Sequence, residues 1–255
     1  MSGSRIPGDK VVSDVAGAVS APMTAVGGRL SRQVYDELKR RLLSGEHEAG
    51  SALSVEEIRT EFGVSKQPVM ESLRLLAGEG LVEIIPQVGI AVRSYSLQET
   101  ADFYRMFAGF EGSIAAVAAE RATAEDVARL EAHAATMHAL EASTDDQARA
   151  LGYRHGNREF HNLIHETARS PIMMESSRRL WDLSDFLIST RGVLNAMSPA
   201  LADRNDDHDQ ITRALARHDG DAARAAMERH ILGTVAIVTP SVTTPVARSR
   251  SRSRR

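Results

Sequence analysis

Over most of this chain, apolar side chains recur every three or four positions, which is the spacing of helices that bury one face. Near the N-terminal end the pattern predicts three helices, at Leu30–Leu43, Ser54–Phe62 and Ser65–Gly78. The period then shortens in two β-rich stretches, Leu81–Ile85 and Ile90–Arg93, with the turn-forming run Pro-Gln-Val-Gly between them. Two short stretches joined in this way predict a β-hairpin.

The rest of the chain has a helical pattern, with heavy use of alanine and no strand-like alternation. Ser96-Leu-Gln-Glu99 is a capping box, in which the two end residues satisfy each other's backbone N–H groups. Six helices are predicted here, at about 97–122, 123–141, 144–169, 171–189, 199–217 and 221–238. The predicted fold class is mainly α: a winged helix-turn-helix with a small β-hairpin, followed by an all-α bundle.

The two ends of the chain differ in composition from the rest. Residues 1–27 are rich in Gly, Ala, Ser and Val without a sustained period, and residues 239–255 run from Thr and Pro into alternating Ser and Arg. Both ends are predicted to be disordered, because such segments bury too little apolar surface. This leaves domains at 28–95 and 96–238. The arginines of the tail either attract phosphates or form a solvated end, and both readings stay open.

The bulk composition excludes several classes of protein. With 42% hydrophobic and 25% charged residues, the 255-residue chain is typical of globular proteins and long enough for two domains. It has no apolar run of roughly 18 residues and no signal-peptide pattern, so we expect a cytoplasmic protein. The absence of cysteine excludes disulfides, thiolate metal sites and cysteine nucleophiles. With a net charge of -3, any binding to DNA has to rest on local residues.

The first domain has the element order of a winged helix-turn-helix. Two short helices meet at Phe62-Gly63-Val64-Ser65, another helix precedes them, and the hairpin follows. Gly63 allows the tight turn, and the second helix of the pair would present its N-terminal side chains to the major groove. From pattern alone, a small structural helical subdomain is the alternative.

Particular residues favour the DNA-binding interpretation. The run Leu53–Leu73 and the segment Gly80–Pro86 resemble the GntR family of bacterial transcription regulators, and the resemblance covers residues 30–95. It implies that the protein binds operator DNA. The family's groove-facing positions fall on Ser65, Lys66, Gln67, Met70, Gln87 and Gly89.

This segment departs from the family in its charge. Many relatives have arginine where this chain has Glu56, Met70 and Val88, and residues 30–95 carry eight Lys or Arg against ten Asp or Glu. We therefore expect binding to depend on a few placed contacts and on dimer avidity, with a shallow salt dependence. Gln67 can pair with adenine, Lys66 can reach guanine or phosphate, and Met70 can pack on a thymine methyl group.

The helical half resembles the C-terminal ligand-binding domain of the FadR branch of that family. Phe110-Glu111-Gly112 matches its first helix, Asn157-Arg-Glu-Phe-His161 matches a D-x-x-F-H pattern with Asn for Asp, and the segment from His208 to His230 matches its last helical hairpin. The resemblance implies a homodimer controlled by a small carboxylate effector, with a divalent metal beside it. The expected effector pocket comprises Phe107, Phe110 and Glu111, and many relatives have Arg at position 107.

The same residues also converge by spacing. Asn157 and His161 lie one helical turn apart on an apolar stripe. His208 and His230 lie eleven residues before and after Asp219, so an antiparallel helix pair sets them at equal height, about 16 Å from the turn. Three neutral imidazoles and one amide oxygen suit Zn²⁺ or a similar ion. A single inward histidine is more often a satisfied core residue, and Asn in place of Asp weakens a metal site by removing one negative charge.

The sequence thus predicts a transcription regulator without enzymatic activity, a repressor on family grounds, with operator DNA and a small molecule as partners and no contact with a membrane. A metal-dependent hydrolase using His161, His208 and His230 is the alternative. It would need a general base, for which Glu111 or Glu159 could be proposed. A third reading is a helical scaffold whose winged domain has lost its DNA contacts along with the missing arginines.

Overall fold

The computed structural model describes residues 25–192 and 199–239, so residues 1–24 and 240–255 of the predicted terminal extensions lie outside the described residues. The predicted element order and fold class are confirmed. The elements are α1 Ala25–Ser44, α2 Val55–Phe62, α3 Lys66–Gly78, β1 Val82–Ile85, β2 Gly89–Val92, α4 Leu97–Arg121, α5 Ala124–Ala139, a 3-10 turn Leu140–Ala142, α6 Asp146–Ala168, α7 Pro171–Thr190, α8 Leu201–Ala216 and α9 Gly220–Val238. Helix α1 begins at Ala25, five residues before the predicted start at Leu30.

Local sequence signals fix most of the helix ends. The Ser54 side chain accepts a hydrogen bond from the backbone N–H of Glu57, and Gly63 ends α2 with a left-handed φ of 62°. A residue with a Cβ is strained in that conformation. The capping box of Ser96 and Glu99 is complete. Helix α3 begins after Ser65 as predicted, although the Ser65 side chain makes no capping hydrogen bond.

Helices α1–α3 and the hairpin enclose a small apolar core, which we call the first core. Strands β1 and β2 pair antiparallel, with Val82 opposite Val92 and Ile85 opposite Gly89. Leu38, Leu42, Val69, Leu73 and other apolar side chains of the three helices pack with Val82 and Val92. The wing is thereby anchored to the helices through the inward-facing residues of its strands.

The helical bundle is built around α4. This helix packs extensively on α9 and also contacts α6, α7 and α8. Its buried face carries Tyr104, Phe107, Ile114 and several alanines, whose small side chains let the neighbouring helices approach closely. Across the described part of the chain, no helix is long and apolar enough to cross a membrane.

Helix α7 belongs to both cores. Trp181 and Leu187 pack in the core of the bundle, whereas Phe186 is fully buried among the residues of the first core. Tyr95, at the junction before α4, meets Phe186 edge to face with ring centroids 6.5 Å apart. The two parts of the chain therefore share apolar side chains as well as a covalent connection.

Replacing Phe186 by Ala tests this shared packing. Removal of a fully buried phenyl ring is expected to destabilise the protein by about 3–5 kcal/mol, since the cavity it leaves lies between two cores and cannot collapse completely. Chemical denaturation measures the loss, and amide hydrogen exchange should show reduced protection in α1 and α3. Ile172→Ala on the same helix is the control, because Ile172 is 78% exposed. Equal stability of the two variants would contradict this assignment.

Candidate functional site

The N-terminal end of α3 is an exposed polar surface. Ser65, Lys66 and Gln67 are all exposed, whereas Pro68 and Val69 are buried. Met70 is only partly exposed because it packs against the first core. The structure therefore places three of the predicted groove-facing side chains on one accessible helix end and leaves Met70 partly occupied by packing.

The wing presents a turn with an unusual backbone. Gln87 has a φ of 63° and Gly89 a φ of 144°, and the N–H of Val88 donates to the carbonyl of Ile85 at 3.1 Å. A positive φ after Pro86 is what the third position of a type II turn requires. The Val88 side chain is 79% exposed at the tip. The wing therefore presents an apolar side chain at its tip.

Glu56, one of the positions at which this chain departs from the family in charge, is ion-paired. Both oxygens of Glu56 accept hydrogen bonds from the guanidinium of Arg59, one helical turn later. The hydrogen bond to Arg59 lowers the pKa of Glu56 from its ordinary value. This pair reduces the repulsion that an unpaired carboxylate at position 56 would exert on a nearby phosphate.

Three histidines meet in the centre of the bundle. His161 comes from α6, His208 from α8 and His230 from α9, and each is at most 1% exposed. One ring nitrogen from each lies within 4.8 Å of the other two. The Nε2 atoms of His208 and His230 are 3.3 Å apart, and Asn157 Oδ1 lies 3.0 Å from His208 Nε2. The four residues that the sequence singled out as metal ligands are thus brought together.

The donor set fits a divalent ion. Ligands at the 2.0–2.1 Å typical of zinc–histidine bonds are about 3.4 Å apart in a tetrahedron, close to the 3.3 Å between the Nε2 atoms of His208 and His230. His161 Nε2 is buried and has no hydrogen-bond partner among the described residues. A buried polar atom without a partner is costly, and a cation among these nitrogens would satisfy it.

Carboxylates lie behind two of the rings. Glu111 Oε2 is 3.3 Å from Nδ1 of His161, and Asp207 Oδ2 is 3.5 Å from Nδ1 of His230. Both contacts are on the nitrogen that a ring coordinating through Nε2 leaves free. A carboxylate that accepts a hydrogen bond from this nitrogen fixes the tautomer and orientation of a histidine ligand. Here both Nδ1 atoms lie near their carboxylates without making a hydrogen bond.

Glu111 is fully buried and lies in a second polar cluster. It accepts hydrogen bonds from His165 Nε2 at 3.0 Å and from the Ser177 hydroxyl, as well as facing His161. Burial alone would raise the pKa of Glu111, but its interactions with the neighbouring His161 and His165 outweigh burial and hold the pKa well below its usual range. Glu111 is therefore ionised and acts as an acceptor for its neighbours.

Burial determines the charge of the three imidazoles. It lowers the pKa of His161 to about 4, and it lowers the pKa of His208 and of His230 well below the usual value, with further repulsion from the cationic Arg204. All three rings are therefore neutral at pH 7, which is the form that binds a metal ion.

A small cavity of about 30 Å³ is lined by one of the three histidines, His230, and by Asn157. Among the expected pocket residues, Phe107 lines it, whereas Phe110 and Glu111 do not: Phe110 borders a separate surface cleft. The remaining lining residues come from α4, α6, α7, α8 and α9: Tyr104, Tyr153, Arg154, Asn157, Trp181, Ser184, Asp185, Ile188, Arg204, His230, Ile231 and Thr234.

Two arginines in this cavity were not singled out from the sequence. Arg204 is only 5% exposed and donates to the carbonyl of His230 and to the Thr234 hydroxyl. Its position four residues before His208, on the same helix face, was a signal that could have identified it. Arg154 lies three residues before Asn157, but nothing in its neighbouring sequence distinguishes it from a surface arginine.

The neutral imidazoles make the stability of the metal-free protein depend on pH. Above about pH 6.5 the unfolded chain also holds neutral histidines, and their contribution to stability is fully present. As the pH falls from about 6.5 towards 4, the unfolded chain binds protons at these histidines, whereas His161 in the folded protein stays neutral. Each such histidine therefore lowers the free energy of unfolding by about 1.4 kcal/mol per pH unit. Denaturation between pH 7.5 and 4.5 measures the slope.

His230→Gln should make this slope shallower, because one buried imidazole is removed. His155→Gln, at an exposed position of α6, is the matched control and should retain the slope of the original protein. A stability that stays constant from pH 7 to pH 5 would show that the buried rings do accept protons.

The chain matches two family models. The first, described as bacterial regulatory proteins of the gntR family, covers residues 30–92. The second, the FCD domain, covers residues 102–233, which is more than half of the 255 residues. The predicted resemblance to GntR regulators of the FadR branch is thereby confirmed.

Several characterised regulators are similar over most of their length. The transcriptional repressor GlaR of Escherichia coli is 27% identical over 207 residues, 80% of this chain and 93% of that protein. The repressor RspR of the same organism is 28% identical over 209 residues, 79% of this chain and 86% of that protein. The Exu regulon transcriptional regulator of E. coli is 27% identical over 222 residues, 81% of this chain and 83% of that protein.

Solved structures support the fold. E. coli McbR/YncC superposes with a TM-score of 0.63 at 21% identity, covering 82% of this chain and 96% of that one. A GntR regulator from Rhodococcus sp. RHA1 gives 0.62 at 21% identity with the same coverage. With the winged helix-turn-helix and the helical bundle in place, these matches show that the chain belongs to the GntR family of transcription regulators that carry an FCD domain, the FadR-like C-terminal domain.

Proposed function

We propose that this regulator is a repressor that binds operator DNA as a homodimer and responds to a small carboxylate held beside a divalent metal in the bundle. The observation that carries the proposal is the position of α7. It supplies Trp181, Ser184 and Asp185 to the wall of the cavity and Phe186 to the core of the DNA-binding part. One rigid helix therefore contacts both the candidate effector site and the DNA-binding domain.

The metal would be held by His161, His208 and His230, with Asn157 adding a neutral oxygen. FCD domains bind a metal in some members of the family, and the donor set of this chain fits one. A bound divalent ion would supply a positively charged coordination position for a carboxylate oxygen. Asn157 also accepts a hydrogen bond from the Tyr153 hydroxyl at 3.0 Å, which orients its oxygen towards His208.

The cavity wall carries two guanidinium groups and one carboxylate, that of Asp185, which lies 3.5 Å from Arg154; the remaining positive charge favours an anionic effector. The resemblance implies that this chain has Phe107 where many relatives have an arginine. Two arginines from other helices, Arg154 and Arg204, line the cavity instead. Tyr104, Phe107 and Trp181 add apolar surface to the same wall. A carboxylate attached to a small apolar group matches this combination, because its charged end and its apolar end each meet a complementary surface.

The cavity is so small that an effector can bind only if part of the cavity wall moves. A volume of about 30 Å³ holds one or two water molecules, so an organic effector has to displace part of the wall. Helix α7 contributes more to that wall than any other helix in the described part of the chain. Ligands shift an equilibrium only through a difference in affinity between two states, and a displaced α7 would supply that difference.

Polar contacts transmit such a displacement to α1. Asp182 of α7 lies 2.8 Å from Lys39 Nζ, and the Ser189 hydroxyl donates to the carbonyl of Leu43 at 2.5 Å. Arg154, in the cavity wall, donates to the same carbonyl. Burial alone would lower the pKa of Lys39, but its hydrogen bonds to Asp182 and Glu79 raise the pKa instead, so the ion pair persists at neutral pH.

The hydrolase alternative has no support. Glu111 faces Nδ1 of His161, on the side of the ring away from its unpartnered Nε2, and Glu159 is about half exposed beside His133 and His155. Neither carboxylate is therefore placed to activate water at the imidazole cluster. The characterised relatives named above are transcription regulators.

The remaining parts of the proposal follow from the family and from symmetry. GlaR and RspR are repressors by name, and repression in the cytoplasm is what we propose here. Residues 28–95 would form the DNA-binding domain and residues 96–238 the effector-binding and dimerisation domain. A two-fold dimer would present two α3 helices to related half-sites.

Zinc binding tests the metal site. One Zn²⁺ per chain is expected to bind the metal-free protein and to raise its melting temperature, since a ligand at a hundredfold excess over its Kd stabilises by about 2.7 kcal/mol. His208→Ala and His230→Ala should abolish binding, whereas Asn157→Asp should tighten it by restoring an anionic oxygen. Isothermal titration and thermal denaturation measure both effects, with exposed His155→Ala as the control. If zinc neither binds nor shifts melting, the three histidines contact the effector directly instead.

Selection from random DNA tests the regulatory function. The protein is expected to enrich a short two-fold symmetric site, and Gln67→Ala should relax one base position in each half-site, costing about 1–3 kcal/mol per lost bidentate contact. Gln98→Ala, on exposed α4 surface, should leave the selected site unchanged. Uniform affinity for all sequences would overturn the assignment as an operator-binding regulator.

A further inference from the structure

Gln67 is one of the exposed polar residues in the N-terminal turn of α3, and its side chain is hydrogen-bonded to a neighbouring residue of the same helix. Its Nε2 donates to Oε1 of Glu71, one helical turn later, at 3.1 Å. Surface pairs of Gln with an acid four residues on occur elsewhere in this chain, as between Gln98 and Asp102, and contribute little by themselves. The pair in α3 differs because its acid is fixed from a second direction.

That second contact comes from α1. The hydroxyl of Ser31, a residue only 3% exposed, donates to Oε2 of Glu71 at 2.5 Å. The next residue of α3, Ser72, is fully buried and donates to the carbonyl of Ser31 at 2.6 Å. Two successive residues of α3 are thus tied to one residue of α1, so Glu71 is part of the rigid contact between these helices.

The chemistry of Glu71 determines which way the Gln67 amide points. The hydrogen bonds from Ser31 and Gln67 lower the pKa of Glu71, so it is a carboxylate at neutral pH. A carboxylate only accepts hydrogen bonds, and the Gln67 amide therefore has to turn its NH₂ group towards Glu71. Its carbonyl oxygen and its second N–H are left for other partners.

We propose that Glu71 is a positioning residue for sequence recognition: anchored by Ser31, it fixes the Gln67 amide so that one acceptor and one donor face the major groove. This pair complements the N6 donor and N7 acceptor of adenine. Without Glu71 the Gln67 side chain rotates freely, and its ordering on binding opposes the contact. The inference rests on the proposed operator-binding function and concerns how that function discriminates between bases.

If Glu71 had no positioning role, electrostatics would predict a different effect of its removal on DNA binding. The DNA-binding part already carries more acids than bases, and one more carboxylate on α3 repels phosphates. Removing an uninvolved carboxylate would therefore strengthen binding to every sequence alike. The positioning role instead predicts weaker discrimination at one base pair together with unchanged or stronger binding to non-specific DNA.

The experiment compares base preference in five variants, using the full-length protein and the site selected by the original protein: Glu71→Ala, Gln67→Ala, the double variant of these two, Glu71→Gln and Glu57→Ala. Glu71→Ala should reduce the preference for the base pair read by Gln67 about tenfold, and should have no further effect at that base pair when Gln67→Ala is already present. Glu71→Gln can keep an acceptor oxygen towards Gln67 and turn its NH₂ group towards Ser31, whose hydroxyl then accepts instead of donating. This variant should therefore retain the preference. Glu57→Ala, at an exposed position in the first turn of α2, removes one charge from the same domain and serves as the matched control.

The outcomes separate the alternatives. Loss of preference in Glu71→Ala at the position affected by Gln67→Ala, with rescue by Glu71→Gln, supports the positioning role. Loss at a different position would mean that Glu71 contacts a base itself and would overturn the inference, as would a uniform gain in affinity like that of Glu57→Ala. If the original protein selects no site at all, the proposed function fails rather than this inference, since no preference then exists for Glu71 to influence.

Discussion

The burial of three imidazoles at the centre of the bundle is the constraint on which much of this structure depends. Polar rings removed from water lose hydrogen bonds, and at least one nitrogen of each ring has no hydrogen-bond partner among the described residues. His161 and His230 have carboxylates behind them, and Phe160 stacks on His208 with ring centroids 4.0 Å apart. Four helices have to be in place at once for these contacts to form. The site and the packing of the bundle are therefore the same structure, and an ion or effector at the rings acts directly on helix positions.

Helix α7 carries that dependence to the DNA-binding part. Its residues lie in two environments within two helical turns: Trp181 lies against the ring of His161, and Phe186 lies in the first core. A helix is stiff over this distance, so a shift at one residue moves the other. The ion pair of Lys39 with Asp182 and the shared Leu43 carbonyl add directional contacts to the apolar packing. Such close packing favours discrete alternative arrangements over gradual deformation.

The DNA-binding part depends on placement more than on charge. Acids outnumber bases between residues 30 and 95, so the long-range attraction that many DNA-binding proteins use is weak here. The structure pairs some of these acids, as Glu56 with Arg59, and uses Glu71 to hold Gln67. In a domain with few cations, contacts that are oriented before binding retain more of their free energy, because less side-chain entropy is lost when the complex forms.

The sequence by itself determined the order and type of the elements, because capping residues such as Ser54 and Ser96 and the apolar periodicity act locally. Helical spacing also paired Asn157 with His161, and the turn at Asp219 paired His208 with His230; the family resemblance joined the two pairs into one predicted site. Only the tertiary structure decided which side chains surround that site. Phe110 and Glu111 follow Phe107 on the same helix, yet Phe110 borders a separate cleft and Glu111 faces His161, while Arg154 and Arg204 line the cavity. The physical reason is that packing against α6, α7, α8 and α9 together sets the rotation of α4 about its axis. A local sequence pattern does not contain the combined effect of these four contacts.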